Sequence, residues 1–344
     1  MNQITKKGKM MAELKANQPN IPATNKWVSY RSEIKVVDCT IRDGGLMNNH
    51  QFDEKLVKAV YKACVDAGID YMEIGYKGNT KQFSPEEFGI WKFCPEEAIR
   101  KAIGKKSGET KISVMADAER TDYNKDILPR EQSVIDIVRI AAYIHQIPTA
   151  IDMIKDAHNK GYETSINLMA VSTVKENEIN EALELLAKSE VDMIYLVDSF
   201  GALYSEQVHY LMRKYLHYAE ANGKQVGMHA HNNQQLAFAN TIEAIIMGAN
   251  MVDGSMAGLG RGAGNCATEA LLGFLHNPKF HLRPVLDCIQ KYIEPLKKDV
   301  LWGPDIPYLI TGMLNQHPRA AIKFNSGNDH GDLVKFFDMM TEEE

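Results

Sequence analysis

The sequence of 344 residues predicts an α/β protein folded as a (β/α)8 TIM barrel with a short helical C-terminal extension, because three features coincide. Short apolar runs alternate with longer stretches of helical periodicity. Several of those stretches end in glycine, for example Gly68 and Gly248, as helix C-caps do. Polar residues follow the ends of the predicted strands, and in a closed barrel those ends converge on one face.

The predicted strands are the short apolar runs, which cover residues 34–37, 71–74, 111–115, 135–140, 163–168, 193–197, 226–228 and 250–252. Segments with helical periodicity lie between them, and the clearest cover 55–67, 149–159, 179–188, 205–221 and 234–247. Asn177 is predicted to cap the helix that begins near residue 179. Eight strand–helix repeats over roughly 240 residues match a closed barrel better than an open doubly wound sheet.

Three regions of the chain differ in pattern. Residues 1–30 lack apolar periodicity and are predicted to form a flexible N-terminal arm. Residues 31–277 carry the repeats and are predicted to form the barrel. Residues 278–344 are predicted to form the helical extension, with one helix over 284–300 and another over 308–314. The intervening residues 302–307 contain two prolines and a glycine, which break a helix.

Composition argues against several classes of function. The net charge of -6 and the pI of about 6.0 give no basic footprint, so we expect no nucleic-acid partner. No apolar stretch approaches the roughly 18 residues of a membrane span, and the polar N-terminus has no apolar signal core. The five cysteines are scattered and odd in number, which is typical of reduced thiols. We therefore predict a cytoplasmic protein.

Two segments far apart in sequence predict a metal site. His229 and His231 are two residues apart at the end of a strand, so their side chains point to the same face. Asp43 follows the first strand, which adjoins the last strand across a closed barrel. One carboxylate and two imidazoles leave positions open for water or substrate, as in a catalytic site. Mixed nitrogen and oxygen donors favour Mn²⁺, Mg²⁺, Zn²⁺ or Fe²⁺ over Ca²⁺.

Further polar residues surround these predicted ligands. Arg42 precedes Asp43 and could stabilise an enolate or a carboxylate, or form a structural ion pair. The glycine-dense segment 253–265 predicts a backbone that approaches a ligand closely. Asn265 at its end could donate an oxygen to the metal or cap the next helix, and both alternatives stay open. Candidates for binding substrate or orienting a ligand also end three other strands: Glu73, Asn167 and Asp198.

Three motifs resemble the DRE-TIM metallolyase superfamily: DCTIRDGG at 38–45, HAHNN at 229–233 and GLGRGAGN at 258–265. The resemblance implies a divalent ion, usually Mn²⁺ or Mg²⁺, held by Asp43, His229 and His231, and in some members by the asparagine at position 265. It implies that Arg42 stabilises an enolate. The motifs most resemble the 4-hydroxy-2-oxovalerate aldolase branch, which cleaves a 4-hydroxy-2-oxoacid to pyruvate and an aldehyde. Proteins of that branch often pair with an aldehyde dehydrogenase, and we also expect a homo-oligomer.

The chain departs from that branch at one position. The branch places a histidine, the general base, three residues after the metal aspartate, where this chain has Leu46. A base must come from elsewhere, and His50 and Tyr308 are the candidates. His50 lies in the same loop, where a histidine is more often exposed to solvent. Tyr308 lies where the aldolases have their C-terminal helical portion.

The function predicted from the sequence is therefore a metal-dependent aldolase or lyase acting on a 2-oxoacid. One alternative is a Claisen-type synthase that joins an acyl-CoA to a 2-oxoacid, although the chain lacks the long C-terminal domain of many synthases. The other alternative is a non-catalytic barrel that binds a 2-oxoacid, suggested by Leu46 at the base position. The presence of Arg42, Asp43, His229 and His231 together argues against that alternative.

Overall fold

A computed structural model describes residues 32–327 and 331–342, and the arm predicted at residues 1–30 lies outside the described residues. Within the described part, eight strands close into a parallel barrel in chain order, which confirms the predicted fold class. The predicted strand ends differ from the observed ones by at most two residues. The strands are β1 (Lys35–Asp38), β2 (Tyr71–Tyr76), β3 (Lys111–Asp117), β4 (Ile137–Ala142), β5 (Glu163–Leu168), β6 (Met193–Asp198), β7 (Gln225–Ala230) and β8 (Met251–Gly254).

The barrel closes where β1 pairs with both β2 and β8. Val37 is the register partner of Tyr71 on one side and of Asp253 on the other. Both faces of the strands are buried, because side chains fill the interior and helices cover the outside. This burial explains why the strands are short apolar runs. The apolar residues that fill the interior are Val37, Cys39, Tyr71, Ile137, Met193, Tyr195, Val197 and Met251.

Helices follow the strands around the outside of the barrel and continue beyond β8. The α-helices of the described residues are α1 (Thr40–Gly44), α2 (Glu54–Ala67), α3 (Glu96–Ile103), α4 (Tyr123–Asp126), α5 (Ile147–Asn159), α6 (Glu176–Ala187), α7 (Ser205–Glu220), α8 (Ala237–Met247), α9 (Thr268–Leu275), α10 (Leu282–Cys288), α11 (Ile306–Met313), α12 (Arg319–Ser326) and α13 (Leu333–Glu342). Short 3-10 turns occupy Gly45–Met47, Ile90–Lys92, Arg130–Gln132, Ile144–Gln146, Val171–Thr173 and Met256–Gly258.

The ends of α2 show how sequence sets helix boundaries. The Asp53 carboxylate accepts a hydrogen bond from the Leu56 amide at 2.6 Å, which satisfies one free N–H of the first turn. Gly68 ends the helix in the left-handed region at φ 73°, which confirms the predicted glycine C-cap. The predicted cap at Asn177 was wrong, because α6 already begins at residue 176. There, the Glu178 carboxylate accepts from the Lys175 amide at 3.2 Å.

The single helix predicted over residues 284–300 was also wrong. The α-helical part ends at Cys288, and a π-helical turn follows over Ile289–Ile293 and a 3-10 segment over Glu294–Lys298. Pro295 explains the change, because it has no amide hydrogen and its ring crowds the carbonyl four residues earlier. The chain therefore changes its helical pitch instead of continuing as an α-helix.

The helices after β8 bury a small apolar cluster of their own. Its core contains Tyr308 and Ile310 of α11, Ala321 of α12, and Phe336 and Met340 of α13. The boundary proposed between residues 277 and 278 stays a prediction. In the part of the chain that the structure describes, no helix has both the length and the apolar character needed to span a membrane.

Candidate metal centre and active site

The candidate site is built where strands β1, β7 and β8 end at the barrel mouth. Asp38 ends β1 and accepts a hydrogen bond from the Thr40 amide at 3.1 Å, so the chain turns at once into the short helix α1. That helix carries Arg42 and Asp43 into the mouth, where both are buried. His229 lies within β7, and His231 follows that strand directly. Active sites of (β/α)8 barrels form at this end.

Asp43, His229 and His231 form a cluster of metal-ligand atoms. One donor atom from each lies within 4.8 Å of the other two, and all three side chains are buried. His231 Nδ1 lies 4.0 Å from Asp43 Oδ2. The Asn265 amide nitrogen donates to the same carboxylate oxygen at 2.6 Å, which places Asn265 beside the cluster. The structure thus brings together the four ligands predicted from the sequence.

Unpartnered polar atoms test whether these residues fit a metal ion. His229 Nε2, His231 Nδ1 and Asn265 Oδ1 are buried and have no hydrogen-bond partner among the described residues. A buried polar atom without a partner costs free energy, so several of them at one point indicate a missing ligand. Imidazole nitrogens, a carboxylate and an amide oxygen together suit a divalent metal ion. The donor set therefore fits the metal that the motifs predict.

Asp253 on β8 sets the tautomer of His229. Its Oδ2 lies 2.9 Å from His229 Nδ1, and because a carboxylate can only accept, Nδ1 carries the proton. The Nε2 atom is then left with its lone pair free toward Asp43. Residues behind a metal ligand commonly orient it in this way. Asp253 directly follows the last predicted strand, but no feature of the sequence predicted its role.

The electrostatics keep the ligands in the protonation states that a metal requires. Burial by itself would raise the pKa of Asp43, but Arg42, and after it His231 and His229, hold that pKa well below its usual range. Burial lowers the pKa of His231 far below its ordinary value, so that ring is neutral. The ionised Asp43 carboxylate and the neutral His231 ring can bind a cation without first losing protons.

A second group of donor atoms, Cys39, His229 and Asp253, shares one histidine with this cluster. Burial raises the pKa of the Cys39 thiol well above its ordinary value, and the negative charges of Asp253 and Glu73 raise it further. A thiol that stays protonated is a poor metal ligand. The Oδ2 atom of Asp253 is also occupied by its bonds to His229 and Arg139, and the His229 Nδ1 atom on that side carries the proton. The cluster around Asp43 is therefore the better metal site.

Arg42 is fixed on two sides and free on the third. Its Nε donates to Glu73 Oε2 and its Nη1 donates to Asp43 Oδ1, both at 2.6 Å. Its Nη2 is buried and has no partner among the described residues. The free N–H groups are held in place beside the metal ligands, where they can bind a developing oxyanion. Glu73, predicted to bind substrate or orient a ligand, lies behind Arg42.

The sequence analysis missed Arg139, which lies in the middle of β4. Its guanidinium donates to Asp253 Oδ2 at 2.7 Å, lies 3.1 Å from Glu73 Oε2, and stacks over the Tyr195 ring at 4.4 Å. Arg139 therefore connects Asp253, which orients His229, to Glu73, which fixes Arg42. One sequence feature could have identified it, because Arg139 is a lone charge in the apolar strand IVRIAA, on the face opposite Val138.

The glycine-rich segment packs directly on the Asp43 carboxylate. A Cβ atom at Gly260 would lie 2.5 Å from Asp43 Oδ2 and 2.3 Å from the Asn265 amide nitrogen. Only glycine leaves room for both groups, which explains the close backbone approach that the segment predicts. Asn265 does not accept from a nearby helical amide in any described contact. Its oxygen stays free beside the cluster.

His50 is buried rather than exposed, contrary to the usual position of a loop histidine. Its ring packs edge-on against Tyr76 at 5.2 Å, and its amide donates to the Gly45 carbonyl at 2.7 Å. A Cβ at Gly45 would lie 2.1 Å from His50 Nδ1, so glycine at position 45 makes room for the ring. Burial, and after it Lys92 and Arg42, lowers the pKa of His50 to about 3. The imidazole is therefore neutral at physiological pH.

The side chains of three other predicted site residues have no described contact with the metal cluster. The Tyr308 ring lies in the apolar cluster of the helical extension, with Asn325 among the neighbours of its hydroxyl, and no described contact brings that hydroxyl to the metal ligands. The Asp198 carboxylate accepts a hydrogen bond from the Ala202 amide at 2.9 Å, so it stabilises the backbone of the loop after β6. Asn167 is buried at the end of β5 with a free Oδ1, without a described bond to the cluster.

Comparison with known proteins gives the same family as the motifs. The HMGL-like family matches residues 33–290. A 4-hydroxy-2-oxovalerate aldolase from Pelotomaculum thermopropionicum is 31% identical over 243 residues, which are 71% of this chain and 70% of that protein. These findings confirm the resemblance to the aldolase branch.

Solved structures agree in fold. The N-terminal domain of a proposed aldolase from Bacteroides vulgatus superimposes with a TM-score of 0.74 at 29% identity, covering 85% of this chain and 98% of that one. The HMG-CoA lyase of Brucella melitensis has a TM-score of 0.62 at 18% identity, with 77% and 99% covered, and shares the fold. Because the family match spans most of the barrel and its motif residues meet at one site, the chain belongs to the HMGL-like family.

Proposed function

We propose that this chain is a divalent-metal-dependent carbon–carbon lyase that cleaves a 4-hydroxy-2-oxoacid into pyruvate and an aldehyde, or catalyses the reverse reaction. The observation that carries the proposal is the convergence of unpartnered buried atoms from four side chains beside Asp43: Arg42, His229, His231 and Asn265. The relatives named 4-hydroxy-2-oxovalerate aldolase support the same reaction. We propose Mn²⁺ or Mg²⁺ as the ion.

Asp43, His229, His231 and Asn265 would hold the ion, which acts as a Lewis acid that polarises the 2-oxo carbonyl. Cleavage begins when a base removes the C4 hydroxyl proton. The C3–C4 bond then breaks, its electrons move to the C2 oxygen, and the aldehyde leaves. The free N–H groups of Arg42 stabilise the enolate oxygen that this step creates. Protonation at C3 completes the formation of pyruvate.

His50 is our candidate for the base. Its Nδ1 is buried without a partner, and Arg42 and Asp43 are among its electrostatic neighbours. In the free protein, the lowered pKa keeps the ring neutral but makes it a weak base. Because the cations Lys92 and Arg42 contribute to that lowering, an anionic substrate beside them would raise the pKa of His50 toward the working range.

The first test is exchange of the pyruvate methyl protons into D2O, followed by NMR. We expect exchange with Mn²⁺ present and none after a chelator removes the ion, because enolisation needs the polarised carbonyl. Exchange that survives chelation would contradict the metal-dependent mechanism. No exchange in a protein with bound metal would contradict pyruvate as the enolising half of the substrate.

Replacing His50 with asparagine should lower the rate of 4-hydroxy-2-oxoacid cleavage by about 10²- to 10⁴-fold, the usual contribution of a positioned base. Metal affinity should stay within about threefold, because His50 is not a ligand in the cluster. Steady-state cleavage kinetics and Mn²⁺ titration measure the two effects. A His50→Asn protein with the full cleavage rate would show that the base lies elsewhere.

Two companion variants sharpen this test. Gly45→Ala leaves His50 in the sequence but places a methyl group where its Nδ1 lies, so it should lose cleavage activity as His50→Asn does. Leu46→His, made in the His50→Asn protein, restores a histidine at the position used by the aldolase branch. Recovery of cleavage there would show that the loss came from the missing base and not from damage to the loop.

The two alternatives from the sequence make different predictions. A Claisen-type synthase should gain thermal stability from CoA, whereas the aldolase should not. A non-catalytic barrel should bind a 2-oxoacid without exchanging pyruvate protons. The aldolase names of the relatives and the free N–H groups of Arg42 favour the lyase.

Several further predictions accompany this function. The identity of the ion, a homo-oligomeric assembly, an aldehyde dehydrogenase partner and a cytoplasmic location stay predictions. All five cysteines lie in the described residues, and each is buried and unpaired, as expected in a reducing compartment. Size-exclusion chromatography with light scattering would test the assembly.

A further inference from the structure

The glycine-rich segment carries one basic side chain, Arg261, at the barrel mouth. Its backbone amide lies 3.4 Å from Asp43 Oδ2, so the residue starts beside the metal cluster. Its Nη2 donates to the Ser199 carbonyl after β6, and its Nη1 faces His317 Nε2 at 3.4 Å. The backbone of Arg261 therefore lies beside Asp43, and its side chain extends to place the guanidinium between the end of β6 and the helical extension.

Arg261 is half-buried, and its guanidinium lacks a described carboxylate partner. Among the described residues, no carboxylate oxygen lies within 4.0 Å of its guanidinium nitrogens, whereas the guanidinium groups of Arg42 and Arg139 each contact two carboxylates. Its Nε is buried and has no hydrogen-bond partner.

The contact with His317 does not satisfy Arg261 either. His317 Nδ1 accepts the Arg319 amide at 3.1 Å, and burial lowers the pKa of His317 to about 4, so the ring is neutral. A neutral imidazole has one acceptor nitrogen, and here Nδ1 fills that role. Nε2 then carries the proton and faces Arg261 Nη1 as a second donor. Nε and Nη1 of Arg261 thus both lack an acceptor.

The position of Arg261 separates it from Arg42. Arg42 is fixed to Asp43 and Glu73 at the strand ends, where the proposed reaction places the enolate oxygen. The electrostatic neighbours of Arg261 include first Asp43, then Tyr76 at the end of β2 and Tyr143 after β4, so its charge acts across the width of the mouth. A substrate whose 2-oxoacid end lies at the metal cluster would extend its aldehyde half toward this guanidinium.

We propose that Arg261 binds a carboxylate on the aldehyde half of the substrate, so that the preferred substrates are dicarboxylic 4-hydroxy-2-oxoacids. This inference rests on the proposed aldolase function of the site. Two N–H groups without acceptors on one planar guanidinium match the two oxygens of a carboxylate. A neutral aldehyde half would leave both groups and the charge unsatisfied.

The test compares two five-carbon 2-oxoacids, 2-oxoglutarate and 2-oxovalerate, which differ by a carboxylate in place of a terminal methyl. Calorimetry with the Mn²⁺-loaded protein should give tenfold to hundredfold tighter binding of 2-oxoglutarate, as expected for charge-assisted hydrogen bonds. Arg261→Gln should remove that preference and leave 2-oxovalerate affinity within about threefold. Arg261→Lys, which keeps the charge without the planar pair of donors, should retain part of it.

Controls separate binding from support of the loop. His317→Ala removes the neighbour of Nη1 but leaves the guanidinium, so the preference should persist. Arg283→Gln removes an exposed arginine on α10 and matches the change in net charge. Equal affinity of the native protein for both acids would overturn the proposal. Equal weakening of both acids by Arg261→Gln would also overturn it, because Arg261 would then hold the loop or the carboxylate common to both.

The same protein can distinguish failure of this proposal from failure of the aldolase function. Metal-dependent exchange of pyruvate protons without a preference for 2-oxoglutarate would overturn the role of Arg261 alone. A preference that depends on Arg261, in a protein that does not exchange pyruvate protons, would support the carboxylate site and contradict the aldolase reaction. Neither exchange nor preference would overturn both.

Discussion

Asp43→Ala should abolish divalent-metal binding and lower the rate of 4-hydroxy-2-oxoacid cleavage by at least about a thousandfold, the equivalent of the several kcal/mol that a Lewis acid supplies. Asp43 contributes the carboxylate of the metal cluster and also fixes Arg42 through a 2.6 Å ion pair. The variant therefore loses the ion and the position of the group that stabilises the enolate. Calorimetric titration with Mn²⁺ measures the loss of metal binding, and single-turnover kinetics measure the loss of cleavage rate.

A matched control lies five residues earlier. Asp38 is also buried at the end of β1, but its carboxylate accepts from Thr40 and Thr268. Burial raises its pKa to about 6, and asparagine reproduces the shape and the hydrogen bonds of the protonated form. Asp38→Asn should therefore bind Mn²⁺ as the native protein does. Tight Mn²⁺ binding by Asp43→Ala would show that the ion is held elsewhere.

Arg139→Leu should destabilise the barrel by about 3–5 kcal/mol, the usual cost of removing one partner from a buried ion pair. Without Arg139, the Asp253 carboxylate keeps only its bond to His229, and Glu73 keeps only Arg42. Urea unfolding should show a lower midpoint with an unchanged slope. A variant as stable as the native protein would contradict the structural role given to Arg139.

The same variant gives a pH test. Burial would raise the pKa of Asp253, but Arg139 and then His229 hold it at about 2, below its ordinary value. A depressed folded pKa contributes stability above the unfolded pKa near 4 and loses it as pH falls toward 2. The stability gap between native protein and Arg139→Leu should therefore be constant above about pH 5 and shrink at lower pH. If the stability difference between the native protein and Arg139→Leu widened on acidification, Arg139 would not be the cause of the lowered pKa of Asp253.

The parts of the fold that sequence predicted well are those set by local pattern. Strand positions follow from apolar runs, and the ends of parallel strands in a closed barrel must meet, so Asp43, His229 and His231 could be grouped before any contact was known. Asn265 followed from its place in the glycine-rich segment. These predictions needed periodicity and topology alone.

The features that the sequence left open or missed depended mainly on packing between distant parts of the chain. The burial of His50 is created by Tyr76 and Gly45, and no local rule gives that contact. Tyr308 turned toward Asn325 because helices α11 to α13 pack on one another, which the sequence could not orient. Pro295 was visible in the sequence, and its helix-breaking effect was overlooked. Arg139 was overlooked because its strand is otherwise apolar.

The space that Gly45 leaves for the His50 ring has a consequence for how related sequences are sorted. A side chain at position 45 and an imidazole at position 50 exclude each other, so the two positions should change together across an alignment. A search that demands a histidine at position 46 would class this chain as inactive. Scoring the 45–50 pair instead would separate proteins with a buried candidate base at position 50 from proteins with no histidine at either position.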